Sequence, residues 1–394
     1  MISIVDRYFS LNRTLLLIIG LWPYKKSKFV GLQIIGIFSI LITCIIFQLT
    51  TIVSSTCSTE DIIKVLSTAF AFSNFVIKYN SFYINSETIK NLMEKIQHVY
   101  NDLRDSNEIA IAEEYGNNAK QYTVMLTKIL ICSLSVFMST RLWLEFSDIV
   151  LSTNVSRSHH LQISTEYFID QQRYFYLPYF HINATFTIGC VVICGTGSLL
   201  IAYLQHVCGM FKIASYRIKR AIHIYTSKNL NTQKEILIYK DLIRAVDIHR
   251  NSITFSYYFI SRFQISFMFL IVTGVLTLSL NIFRIFQIVS FQYNTEEFMI
   301  RFLIIFICFL YMFLSNLVGQ QIIDHNNYIF VTAYEVQWYV TPLPIQRLIL
   351  IILQRGIKSF GLKVGGLFVA SLERFTTLIN ASISYFTIIY STRL

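Results

Sequence analysis

The sequence predicts an all-α membrane protein with seven transmembrane helices, its amino terminus cytosolic and its carboxyl terminus extracellular. Three observations carry that reading. Of the 394 residues 54% are hydrophobic and only 14% charged, with a mean hydropathy of +0.53, whereas about a quarter of a soluble domain is charged. The apolar residues gather into runs long enough to cross hydrocarbon, which takes about 20 residues each. Lysine and arginine favour one set of connections: the amino-terminal 28 residues and the loops after the second, fourth and sixth runs hold 5, 4, 9 and 4. The opposite loops hold little beyond Arg157 and Arg173. Basic loops stay in the cytosol, so the amino terminus is inside, and an odd number of crossings puts the carboxyl terminus outside.

The first run, 29–53, follows Arg7, Arg13, Lys25, Lys26 and Lys28 without a small-residue cleavage site, so it reads as a span and not a cleaved signal peptide. A short loop with Cys57, Glu60 and Asp61 leads to the second span, 62–83. Residues 85–121 mix four basic groups with seven carboxylates and read as solvated helix. The third span, 122–147, opens into a loop of about thirty residues closed by Pro178. Within that loop Asn154-Val155-Ser156 makes Asn154 the candidate glycosylation site. The fourth span, 182–208, contains Gly195-Thr196-Gly197, expected to be a helix-packing site.

Residues 212–252 carry nine basic groups against three acids, and neither glycine nor proline occurs from Phe211 to Thr273. The helix of the fifth span, 253–288, therefore starts well outside the bilayer. The sixth, 298–323, continues past Asp324 and His325 towards Trp338, until Thr341-Pro342-Leu343-Pro344 stops it. A short apolar helix over 345–358 and the glycines 361, 365 and 366 precede the last run, 366–392. The seventh helix is thus split into a cytosolic piece and a long membrane piece.

That last run bears a stripe of small polar groups. Ala381, Ser384, Tyr385, Ile388, Ser391 and Thr392 share one helical face, and Leu378, Phe386 and Ile389 lie elsewhere. A helix facing lipid alone has no use for hydroxyls, so another helix or water must meet this face.

Enzyme chemistry is not written here: the chain has no Walker A loop, no His-Glu-x-x-His and no nucleophile elbow, and no cofactor is expected. The charge of +11 is distributed by topology and not on one nucleic-acid-binding surface, so nucleic acid is no partner. Of the seven cysteines, Cys190 and Cys194 share a helix face, which reads as packing and not as a metal site. All four prolines lie outside the spans, which leaves no broken midplane helix of the transporter kind.

The carboxyl-terminal third resembles the insect odorant receptor family, specifically its odour-tuning subunits. The residues that carry the likeness are Gly319-Gln320-Gln321, Trp338-Tyr339 with the prolines that follow, Gln354-Arg355, Phe375, and Ser384-Tyr385-Phe386-Thr387. The first two thirds match by pattern rather than motif. The co-receptor of that family has a much longer loop after its fourth span, so the short one here implies a tuning subunit.

The resemblance implies an odorant-gated, non-selective cation channel at the plasma membrane of olfactory neurons, a heteromeric tetramer with the odorant co-receptor. Residues 1–340 would form the receptor unit with its ligand pocket, 212–252 and 320–364 the cytosolic anchor segments, and 366–392 the pore-lining helix. By the family's motif the gate falls on Ile388, with Ser384 and Tyr385 before it and Ser391 and Thr392 beyond. The pocket for a small, volatile, apolar ligand would draw on Phe72, Phe75, Val76 and Tyr79 of the second span. Ser135, Met138, Ser139 and Trp143 of the third and Phe298, Phe302 and Leu303 of the sixth would complete it. Two alternatives remain open on the sequence: a gustatory receptor channel of the same superfamily, and a metabotropic seven-helix receptor, whose amino terminus would lie outside.

Overall fold

Apolar runs that lack proline let helices continue beyond the hydrocarbon, and the chain does this repeatedly. The computed structural model describes residues 7–54, 58–150, 163, 165–168, 173–226, 232–290, 294–358, 360–366 and 368–392, and it describes no side chains at 54, 140–150, 226, 232–235 and 237. Within them run α1 (Ser10–Ile18), α2 (Lys28–Ser54), α3 (Thr59–Ile84), α4 (Ser86–Asp102), α5 (Ser106–Val150), α6 (Tyr176–Thr226), α7 (Thr232–Ser290) and α8 (Thr295–Glu335). A 3-10 turn (Trp338–Val340), α9 (Leu343–Gly356), the strands β1 (Lys363–Val364) and β2 (Phe368–Val369), and α10 (Leu372–Ser391) complete the order. Cys57 and Asn154 lie outside the described residues.

Six of these helices, α2, α3, α5, α6, α7 and α8, are long and apolar enough to cross a membrane. At about 1.5 Å per residue, the 45 residues of α5 and the 59 of α7 overrun a hydrocarbon core of about 30 Å. α6 is the centre of the bundle: 78% of its apolar window is buried, against 17% for α2. α1 lies across it, where Asn12 donates to Ser198 (2.8 Å) and accepts from Thr123 (3.3 Å). Gly195 gives room to Leu15 and Gly197 to Tyr311, so the expected packing site does bring helices together.

Three boundaries differ from the sequence reading. The segment 85–121 is not simply solvated: α4 buries Ile89, Leu92, Met93 and Ile96 along one side, a face hidden in the sequence by its many charges. The prolines do not part α8 from the short helix, because α8 ends at Glu335 and Pro342 and Pro344 start α9. Proline at a helix start loses no hydrogen bond. Finally, Gly366 does not begin the last helix. Gly365 and Gly366 have φ of +60° and +74° and turn an antiparallel hairpin that pairs Lys363 with Val369 and Val364 with Phe368. Left-handed backbone favours glycine, and α10 starts only at Leu372.

At the basic end, charged groups bind the helices together. Arg217 on α6 makes a bidentate pair with Glu108 at the start of α5 (2.7 and 2.8 Å). Arg220 joins Asp105, just before α5, to Asp241 on α7. At the other end Glu166 donates its N–H to the Phe47 carbonyl (2.8 Å), and Tyr167 stacks on Phe47, tying the loop to α2.

Candidate pore helix and ligand cavity

The start of α10 is fixed by a chain of polar contacts. Ser371 caps the helix by accepting from the Arg374 N–H (3.3 Å), and its own N–H donates to the Asn316 side chain on α8 (3.2 Å). The hairpin reaches this point because Gly319 has no side chain to hold Ala370 away. Beyond the cap, Leu378 and Ser382 turn inward. Ser279 on α7 donates to the Ser382 carbonyl (2.9 Å), Phe375 meets Phe309 and Phe313 edge-on, and Phe386 and Tyr390 pack on Phe286.

The opposite side of α10 is open among the described residues. Ser384, Thr387, Ser391 and Thr392 are exposed, as are Tyr385 at 50% and Ile388 at 55%. Of the predicted stripe only Ala381 is half-buried. The hydroxyls of Ser384, Ser391 and Thr392 donate to carbonyls of their own helix (2.9–3.1 Å). Their donors are therefore occupied and their oxygen lone pairs point outward, which suits water or a passing cation and not an anion. Glu373 and Arg374 in the first turn, with Asn380 midway, explain why this helix is not among those apolar enough to span by hydropathy alone.

A cavity of about 190 Å³ lies between α5, α6, α7 and α8. Its wall is mostly aliphatic and aromatic, with Ser133, Ser315, Asn316 and Tyr311 as polar members, and Val364, Phe368, Ala370 and Leu378 of the hairpin, the link and α10 form part of it. Anything held there would press on the base of α10 and on the hairpin leading into it.

None of the ten predicted ligand residues whose side chains are described borders this cavity. Phe72 and Phe75 meet edge-on, and Phe75 fills the space left by Gly189 of α6. Val76 is half-buried against the core, and Tyr79 is fully buried, its hydroxyl donating to the Ile19 carbonyl (3.0 Å). Ser135 and Ser139 donate to their own helix on an outward face shared with Met138. Phe298 stacks on Phe302, which is exposed, while Leu303 is buried. The side chain of Trp143 lies outside the described residues. Helical periodicity assigns each residue a face without saying which neighbour that face meets, so this set could not be sorted from sequence.

Charged groups inside the bundle were the signal that sequence reasoning missed. Arg301 is 1% exposed and bonds Ser67 (2.5 Å), Asn281 (3.4 Å) and Glu297 (3.2 Å), and Glu297 also accepts from Arg284 (2.8 Å). This network clasps α3, α7 and α8 together. Lys78 on α3 is 2% exposed and has no hydrogen-bond partner among the described residues. A lysine within an apolar span is itself legible in a sequence. Asp324 accepts from Gln320 (2.9 Å), and His325 donates to the Gln321 carbonyl (2.7 Å) and accepts from Tyr115 (2.5 Å). Both are thereby committed to structure.

The model of the family described as 7tm odorant receptor matches residues 58–383. The structure of the insect olfactory receptor OR5 from Machilis hrabei in complex with eugenol aligns over 98% of this chain and 98% of its own, at 13% identity and a TM-score of 0.77. A further structure of OR5 from Machilis hrabei aligns over the same shares at 15% identity and a TM-score of 0.74. No curated protein matches in sequence. At these identities the structural likeness concerns the fold, and the family rests on the match from 58 to 383, which takes in most of the chain. This multi-pass membrane protein, a receptor and not an enzyme, belongs to the 7tm odorant receptor family.

Proposed function

We propose that this chain is the odour-tuning subunit of an odorant-gated, non-selective cation channel in the plasma membrane, working as a heteromeric tetramer with the odorant co-receptor. The observation that carries the reading is the two-sidedness of α10: one side is packed on α7 and α8, while a run of hydroxyl acceptors around Ile388 is left uncovered. Symmetric or mixed copies of such a helix would line a lumen whose apolar ring at Ile388 closes by dewetting, with Ser384 and Tyr385 below it and Ser391 and Thr392 above. The basic amino terminus and loops support a cytosolic amino terminus. Leu343, Ile351 and Ile357 on and just after α9 are 65%, 65% and 83% exposed, and such apolar surface outside the spans supports an anchor between subunits.

Odorant is held in the cavity among α5–α8. Its contact with Leu378 and the hairpin supports direct coupling to the pore helix, since a ligand shifts a conformational balance only if it binds one state better. Of the residues expected from sequence, Phe72, Phe75, Val76, Tyr79 and Leu303 act in this reading as packing within the core, while Ser135, Met138, Ser139 and Phe302 face outward. Asn154 remains the proposed glycan acceptor on the outer loop.

The test is whole-cell current in cells expressing this chain with and without the co-receptor, under G-protein block, across an odorant panel. Rapid odorant-evoked current that requires both subunits, with cation selectivity altered by Ser391→Ala, is expected. Current abolished by G-protein block would overturn the channel mechanism.

A further inference from the structure

The buried lysine has no counter-ion among the described residues. Lys78 projects from α3 into the space between α7 and α8, where its ammonium nitrogen lies 4.5 Å from the ring centre of Tyr311 and 5.7 Å from that of Phe267. No carboxylate pairs with it among the described residues, and none of its three donors finds an acceptor. Ring faces attract a cation, but they accept no directed hydrogen bond of the strength a buried ammonium gives up on leaving water. A lone charge inside a membrane bundle is costly enough that it generally marks a site where something charged arrives.

Tyr311 and Phe267 are also walls of the cavity. The ammonium thus stands one aromatic ring behind an otherwise apolar chamber. Of the polar groups that line it, Asn316 donates to the Met312 carbonyl and accepts from the Ser371 N–H, and Ser315 donates to the Met312 carbonyl. Lys78 is the cationic donor beside this chamber, with no acceptor among the described residues.

We infer that Lys78 gives this receptor a preference for ligands with an apolar body and a terminal carboxylate, that is, for carboxylic acids. The alkyl part fills the cavity, and the Tyr311 ring turns aside to let the carboxylate meet the ammonium. An acid arriving in neutral form and an amine in neutral form give the same ion pair after one proton passes from the carboxyl oxygen to Nζ. The inference rests on the cavity being the odorant site.

The test measures binding on the purified receptor, as the concentration of ligand that half-maximally raises Tm, for hexanoic acid and its methyl ester. The wild type should take the acid at a concentration at least tenfold lower than the ester. Lys78→Met should erase that difference while leaving the ester unchanged, and Lys78→Arg should restore part of it. Equal affinity for acid and ester in the wild type, or a preference that survives Lys78→Met, would overturn the inference. Should Lys78→Met fail to fold, Lys78→Gln is the substitute, and the wild-type comparison decides alone if neither folds. A Leu130→Trp variant, which fills the cavity, should weaken both ligands; undiminished acid binding there would put the site elsewhere and also sink the proposal. Binding without odorant-evoked current would count against the channel reading and leave the role of Lys78 standing.

Discussion

Gly319 on α8 and Ala370 in the strand-to-helix link touch backbone to backbone: a methyl group built on Gly319 would stand 2.5 Å from the Ala370 carbonyl oxygen. Neither partner is the free end of a side chain that could swing away. The link enters α10 through Ser371, so this contact sets where that helix begins. Gly319→Ala should destabilise the receptor by about 1–3 kcal/mol, the usual cost of overpacking. A lower Tm of the detergent-solubilised protein, with odorant current reduced in proportion to surface expression or more, is the expected result.

At the proposed gate, Ile388→Ala should widen and hydrate the constriction. The expected outcome is a standing current without odorant, several-fold above wild type in heteromers, read as holding current before and after a pore blocker. If Ile388 only faced lipid, the standing current would not move.

The pair of Arg217 and Glu108 is largely buried, with side chains 15% and 5% exposed. Removing one partner of such a pair strands the other, a loss of about 3–5 kcal/mol. Glu108→Leu or Arg217→Met alone should therefore lower Tm sharply. The double variant should recover much of the loss, because neither charge is then left alone.

Asp105 gives the protein an acid-side sensitivity. Burial raises the pKa of its carboxyl, but the N–H groups of Asn107 and Glu108 and the Arg220 guanidinium outweigh this and hold it below its ordinary value. A folded pKa below the unfolded one stabilises the fold at pH above the unfolded value, about 3.9, and that stabilisation is lost as pH falls through the folded value. Asp105→Asn should lower Tm at neutral pH and bring it closer to wild type as the pH falls below about 4, measured by thermal denaturation in detergent across a pH series.

Much of this fold is legible because hydropathy and charge act over long stretches. The 27 residues of α2 coincide with the first apolar run to within a residue at each end. The stripe on α10 is legible for a related reason, since Leu378, Phe386 and Ser384 differ in chemistry as well as in angle. Short-range features are harder. The hairpin at Gly365 and Gly366 involves only two residue pairs, and glycines in a row announce a turn without its partner strand. The cavity is hardest of all, because Cys194, Phe267 and Tyr311 border it through the rotation of three separate helices, which no single helix's periodicity contains.

α6 is enclosed on nearly every side, and this divides the molecule into a spindle and a rind. A change on the spindle is felt by several partners at once: a side chain at Gly189 would collide with Phe75, and one at Gly195 would press on Leu15. Changes on the outward faces of α2 or α5 meet few neighbours. Substitutions where α5, α7 and α8 turn towards the chamber therefore reshape its wall while leaving the spindle in place as the frame on which the other helices pack.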